Sequence, residues 1–387
     1  MVDVSRRGLF GAGAGAVAGV GLAASMGLSR PAASAATPVA SGQTHSPYGD
    51  HQPGIITPTP AAGQLIAFDL LPGTDRAALG RLMRVWSTDI VTLTEGRPAA
   101  GDTLPDMAQP GVSMTVLVGL GPGVFELDGL QAKLPAGFQE IPPMQHDRLT
   151  DDYSGGDLLL WISADDFTSI AYAARRLIHD AEPWAALRWA QQGSWRGIGG
   201  DGEPATGRNL FGQIDGTANP KGAELDEALW STDDWLAGGT QLVIRRIEMD
   251  LPEWDSLIRH QQEVSIGRDL AHGAPLTGGD EHAEMDLEAT ADGELVIPLD
   301  AHARLAHPSQ NRGRTMFRRS LNYDDTTSVG LIFGAFQANI AKQFIPVQRA
   351  LDDFDALNEW TAAVGSAVFV IPPGMHEGEY LAQPLLD

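Results

Sequence analysis

The chain has 387 residues, 43% of them hydrophobic and 7% aromatic, which suits a soluble globular protein of two domains or one large double domain. Its 50 acidic residues against 26 basic ones leave a formal charge of -24, a surface that repels nucleic acid and anionic membrane and tolerates cationic partners. There is no cysteine, so disulfides, thiolate nucleophiles, iron–sulfur clusters and cysteine-ligated zinc or haem are excluded, and histidine is left as the nitrogen ligand for a metal.

Residues 1–35 read as an address. Arg6 and Arg7 in SRRGLF precede a weakly apolar run rich in Gly and Ala, and Ala33-Ser34-Ala35 forms a small-residue cleavage site. The pattern resembles a twin-arginine export signal, which predicts an extracellular, periplasmic or cell-envelope protein with no membrane span in its mature form. GAGAGAVAG within the run mimics a dinucleotide fingerprint, but no strand precedes it. Residues 36–60, rich in Pro, Ser, Thr and Gly without periodicity, predict a flexible lead-in.

Periodicity then predicts a strand at 63–70, a helix at 75–94, strands at 114–121 and 157–166, a helix from Phe167 to Ile178 and a strand at 186–195. This β-α-β-β-α-β order is the ferredoxin-like unit, an antiparallel sheet with two helices on one face. The second half repeats it: a strand at 239–249, a helix at 251–264, strands at 317–323 and 327–339, a helix at 340–351 kinked at Pro346, and a strand at 366–372. The predicted fold class is therefore α+β, tandem ferredoxin-like domains at 61–204 and 205–387. Residues 268–316 are an insertion into the second, too long for a plain loop, and carry His272, His282, His302 and His307.

Two stretches stand out. In FGQIDGTANP, residues 211–220, the Asp-Gly and Asn-Pro pairs are good turn chemistry, which accounts for the glycines but does not ask for the acid. Gly212 and Gly216 would also let backbone approach a ligand and present the Asp215 carboxylate in a pocket. DAHARLAHP, residues 300–308, holds His302 and His307 at a spacing that does not share a helix face, and no HExxH pattern occurs. A single histidine on haem iron, with arginines for the propionates, needs no such pair. Arg304, Arg312, Arg314, Arg318 and Arg319 follow in a chain otherwise poor in cations; pairing with surface acids explains them equally well. No GxSxG elbow is present, and the paired acids Asp151-Asp152, Asp165-Asp166 and Asp233-Asp234 read as helix caps or solvated turns.

Together GQIDGTANP, GGTQLVIRRIEMDLPEWD, IGR with GAPL, DAHARLAHP, FRRSLNY, FQANIAKQFIPVQRAL and ALNEWTAAVGSAVFVIPPG closely resemble the dye-decolorizing peroxidases, over most of residues 60–374. The exported branch of that family includes proteins described as deferrochelatases. The resemblance implies haem b in a pocket of the C-terminal half, with His302 as proximal iron ligand and Asp215 and Arg318 as distal catalytic residues. Gly216, Arg304 and Arg268 complete the cofactor-binding set. Arg318 is preferred to Arg319 by its place at the head of the family's pattern, and alternation along a strand allows only one of them into the pocket. His307 is read as a non-ligand. No Asp or Glu lies between His302 and Arg318, so the carboxylate expected to hold the proximal imidazole comes from elsewhere in the chain. The implied activity is reduction of hydrogen peroxide and one-electron oxidation of aromatic, dye-like or protein donors. The alternative is haem capture and iron release with incidental peroxidase activity. A homo-oligomer is compatible with either.

Overall fold

The computed structural model describes residues 43–197 and 205–387. The export signal expected at residues 1–35 lies outside the described residues, as do positions 36–42 of the lead-in. The remaining part of the lead-in is anchored, contrary to expectation. Ile55 is fully buried, and the buried Gln52 side chain bonds the carbonyls of Val118 and Pro372 and the amide of Val118. A side-chain amide that closes three such bonds fixes the segment however irregular its sequence.

The N-terminal half runs β1 (Ala62–Leu70), α1 (Arg76–Thr94), β2 (Thr115–Leu120), β3 (Leu158–Ala164), α2 (Phe167–Ala181) and β4 (Ala185–Ser194). Asp75 and Asp166 cap α1 and α2, their carboxylates accepting from Ala78 N and Ser169 N at 2.7 and 2.9 Å. The stripe Leu79, Leu82, Met83, Trp86 and Ile90 buries one face of α1 against the sheet.

The C-terminal half runs α3 (Ala223–Leu229), β5 (Thr240–Met249), α4 (Leu251–Ser256), α5 (Arg259–Ile266), the hairpin β6 (Thr290–Ala291) and β7 (Glu294–Leu295), α6 (His302–Leu305), β8 (Phe317–Asp324), β9 (Val329–Gln337), α7 (Phe344–Phe354) and β10 (Thr361–Ile371). Two local expectations change. The helix at 251–264 is broken because Leu257 is extended, with ψ 144°, and packs half-buried against the core, so α5 starts afresh with Ile258 N bonded to the Gln261 side chain. Pro346 produces no kink: it is the third residue of α7, where a backbone N–H has no intrahelical acceptor to lose.

Each half has the same antiparallel order. The first is β4-β1-β3-β2 and the second β8-β9-β5-β10, the ferredoxin-like arrangement twice. The two sheets are not separate: β2 pairs with β10 at Leu120 and Val370, and β4 with β8 at Ser194 and Asn322, closing an eight-stranded barrel within one compact unit. Leu65, Leu159, Trp161, Leu242, Ile244, Leu321 and Phe369 share one buried cluster spanning both halves. Among the described residues no helix is long and apolar enough to cross a membrane.

Candidate active site

On the outer face of the second sheet lies an open-mouthed cavity. All its lining residues fall between Asn209 and Thr361, in the C-terminal half. Met249, Met285, Leu331, Phe333, Phe344, Leu351 and Leu357 make most of the wall apolar.

Asp215 enters this cavity from a backbone knot. Asp215 N donates to Gly207 O, Arg208 and Ile214 form a one-pair antiparallel bridge, and Asn219 N closes a turn onto Gly216 O. Gly216 has φ +114°, and a Cβ added there would meet no atom closer than 3.7 Å, so glycine is required by the backbone angle rather than by crowding. The Asn219 side chain reaches β8: its Nδ2 donates to Arg318 O at 2.8 Å and its Oδ1 accepts from Arg318 N at 3.0 Å. Arg318 is thereby fastened with its guanidinium 3.9 Å from the Asp215 carboxylate. Turn chemistry alone had accounted for Asn219; its bond to a strand 99 positions away carried no local signal.

The five arginines clustered in sequence diverge in space. Arg318 and Arg314 line the cavity. Arg319, on the opposite face of β8, is buried in the barrel, where its Nη1 donates to Thr57 O at 2.7 Å and burial lowers its pKa to about 10. Arg312 is exposed. Arg304, expected in the cofactor-binding set, does not line the cavity: its guanidinium turns into the insertion and donates to Leu287 O and Ile297 O. It braces the insertion's small core of Met285, Leu287, Ile297 and Ala301 instead. Arg268 does line the cavity, held by the carbonyls of Gly273 and Glu281. Burial lowers its pKa, as does the nearby Arg318 charge, while Glu281 and Glu284 work against the shift.

His302 opens α6, directly after the buried Ala301, and lines the cavity. Its Nδ1 lies 2.6 Å from the Asp355 carboxylate, which supplies the partner that no residue between His302 and Arg318 could. Nε2 is left to offer the ring's lone pair to the cavity. Burial opposes protonation of this ring, but the charge and hydrogen bond of Asp355, with the charge of Asp215, raise its pKa overall. Asp355 lies in the turn after α7, its other oxygen accepting from Leu357 N, 53 positions beyond His302. His307 also reaches the wall, with Nδ1 on Ser309 Oγ and Nε2 3.6 Å from Glu284.

An oriented imidazole, an apolar wall and cations at Arg268 and Arg314 fit a large, planar, anionic macrocycle with a metal that takes one nitrogen ligand. Known proteins decide the family. A family model for the N-terminal part of Dyp-type peroxidases matches residues 52–195, and one for the C-terminal part matches residues 206–376. The chain belongs to the Dyp-type peroxidases. It is 36% identical to the dye-decolorizing peroxidase of Thermobifida fusca, over 99% of this chain and 97% of that protein. It is also 33% identical to a deferrochelatase of Yersinia pestis, over 88% and 84% of the two chains. The crystal structure of a DyP-type peroxidase from Cellulomonas bogoriensis superposes with a TM-score of 0.86 at 45% identity, covering 90% of this chain and 99% of that one. Ferric DtpA from Streptomyces lividans matches with the same score at 41% identity, over 91% and 100%. Membership accounts for the doubled ferredoxin-like topology, and the deferrochelatase relatives share the family, so they do not favour iron release over peroxidase chemistry.

A second set of rings touches the cavity. Phe211, on its wall, stacks on the buried Trp254 with centroids 4.3 Å apart, and Trp254 meets the half-buried Trp360 edge-on at 5.2 Å.

Proposed function

We propose that this Dyp-type peroxidase holds haem b in the cavity and reduces hydrogen peroxide there, drawing single electrons from aromatic, dye-like or protein donors. His302 would ligate the iron through Nε2, and Arg268 and Arg314 would meet the propionates. When bound, the haem would supply the iron and the two electrons that cleave hydrogen peroxide, and would store the two oxidising equivalents taken from it until donors return the electrons one at a time. The observation that carries this reading is the meeting of His302, backed by Asp355, with the Asp215–Arg318 pair in one cavity.

The protein's own groups divide the work. Asp355 holds a proton on Nδ1 of His302, which fixes the tautomer and makes Nε2 the more electron-rich ligand. The Asp215 carboxylate takes the proton from the inner peroxide oxygen and returns it to the outer one, directly or through a water, so that water is the leaving group. Arg318, facing that carboxylate, stabilises negative charge growing on the departing oxygen. Asn219 holds Arg318 in place for this. The apolar wall excludes solvent that would otherwise screen these charges. Donors too bulky for the cavity would deliver electrons at Trp360 and through Trp254, a ring path supported by the stacked Phe211–Trp254 contact and the edge-on Trp254–Trp360 contact.

The resemblance of residues 1–35 to a twin-arginine export signal is what supports release of the mature chain by that route. The deciding experiment is an absorption spectrum of purified protein with and without one equivalent of hydrogen peroxide. A Soret band that shifts on peroxide and returns on adding a dye, with bleaching of the dye, is the expected result; colourless protein from haem-replete cells overturns the reading.

A further inference from the structure

Helix α7 ends against its own dipole. Its last turn carries Asp352 and Asp353 and no basic residue, although the C-terminal end of a helix disfavours negative charge. The compensation comes from the other half of the molecule. Gln145 N donates to Asp352 Oδ2 at 2.7 Å and His146 N to Oδ1 at 3.0 Å, with His146 Nδ1 also 3.0 Å from Oδ1. Gln145 Nε2 donates to Asp353 at 2.9 Å. Asp352 is only 6% exposed, and burial alone would raise its pKa; these donors lower it instead. The same loop is pinned on the far side, where Arg148 N and Thr150 N bond the carbonyls of Ala363 and Val364, and Asp147 pairs with the buried Arg245. One turn beyond Asp352, Asp355 N bonds Leu351 O, and the Asp355 carboxylate meets His302.

We propose that Asp352 is a positioning residue for the proximal pair: clasped by the backbone of Gln145 and His146, it holds the last turn of α7 so that Asp355 stays against His302. The proposal rests on the ligand role of His302 given above. A carboxylate buried in two backbone N–H bonds from a distant loop is a costly way to end a helix, since each bond needs the loop in register and an unpaired buried charge is strongly unfavourable. What that arrangement achieves is rigidity at the position that sets the imidazole's electron donation. Through it, the N-terminal half, which lines none of the cavity, acts on the metal's potential.

The test uses full-length protein carrying Asp352→Ala and the milder Asp352→Asn, in case the first fails to fold. In cofactor-free protein, amide exchange at Asp355 and Leu357 should quicken about tenfold in the alanine variant, reporting a loosened turn. In haem-loaded protein the iron(III)/iron(II) midpoint potential should rise, in the direction given by Asp355→Asn and by less. Asp166→Ala, which removes the cap of α2 far from the cavity, is the control that lowers stability while leaving both readouts at wild-type values. Exchange at the turn unchanged by both Asp352 variants overturns the clasp. So does a potential that moves with Asp355→Asn but not with Asp352→Ala. A potential unmoved by Asp355→Asn overturns the proximal role itself, and full haem loading of His302→Ala overturns the reading beneath both.

Discussion

The two halves share a strand order and part company over what covers the sheet. In the first, α1 and α2 lie directly on the strands, with Trp86, Leu82 and Ile170 fully buried between. In the second, α7, the insertion and the 211–220 knot stand off the sheet, and the cavity fills the gap. The same topology is a packed core in one half and a ligand chamber in the other. The difference lies in a long insertion and a few buried charges, not in the strands.

The largest expected effect is at the metal ligand. His302→Ala should abolish haem retention, read as loss of the Soret band, while the fold survives by circular dichroism because the barrel core does not involve that ring. Next come the charged partners. Arg318→Leu and Asp215→Asn should each keep haem yet slow the reaction with peroxide by about 10²–10³-fold in stopped flow, the usual cost of losing one group that stabilises developing charge. If neither slows it, the distal roles are wrong. Asn219→Ala should cost less, about tenfold in the same assay, because Arg318 remains but loses its two backbone tethers.

The packed half offers the opposite kind of test. Arg176 bridges two buried carboxylates, Asp89 on α1 and Asp180 on α2, at 2.6 and 3.1 Å. Burial first, then the hydrogen bond and charge of Asp89, raise the pKa of Asp180 to about 7, with Arg176 opposing. Folded protein therefore keeps a proton that the unfolded chain releases near the ordinary carboxylate value, so this stabilisation is present at low pH and is lost as pH rises towards and through 7. Thermal melts of wild type should fall by about 5 °C between pH 5 and pH 8 relative to Asp180→Asn, which lacks the titration. Identical slopes would remove the pair from the account. The smallest effect is selective: Trp360→Phe should slow oxidation of a bulky dye a few-fold, on the order of 1 kcal/mol, and leave the peroxide step unchanged.

Much of this was legible from residues alone. The continuous apolar runs in GQLIAFDL and DLLLWISADD, and the helical stripe from Leu79 to Ile90, mark elements whose burial is decided locally. His302, Asp215 and Arg318 are singled out by the resemblance of DAHARLAHP, GQIDGTANP and FRRSLNY to the peroxidase family, since residue chemistry alone leaves each with an ordinary structural explanation. What escaped was long-range. Asp355 is 53 positions from the ring it holds and sits among other acids. Arg304 is close to His302 in sequence, but two residues along α6, little more than half a turn, aim it into a separate small core. Barrel closure rests on single residue pairs at Leu120–Val370 and Ser194–Asn322, which leave no pattern to read.

The spans between partners also bear on how the chamber is assembled. Asn219 meets Arg318 across 99 positions and His302 meets Asp355 across 53, while β10, the last strand, must slot between β2 and β5 to close the barrel. Contacts of that reach form late, because each loop must lose its freedom before its ends gain anything. The chamber needs residues from Asn209 to Thr361 in place together, so these long-range contacts are the slow part of building it.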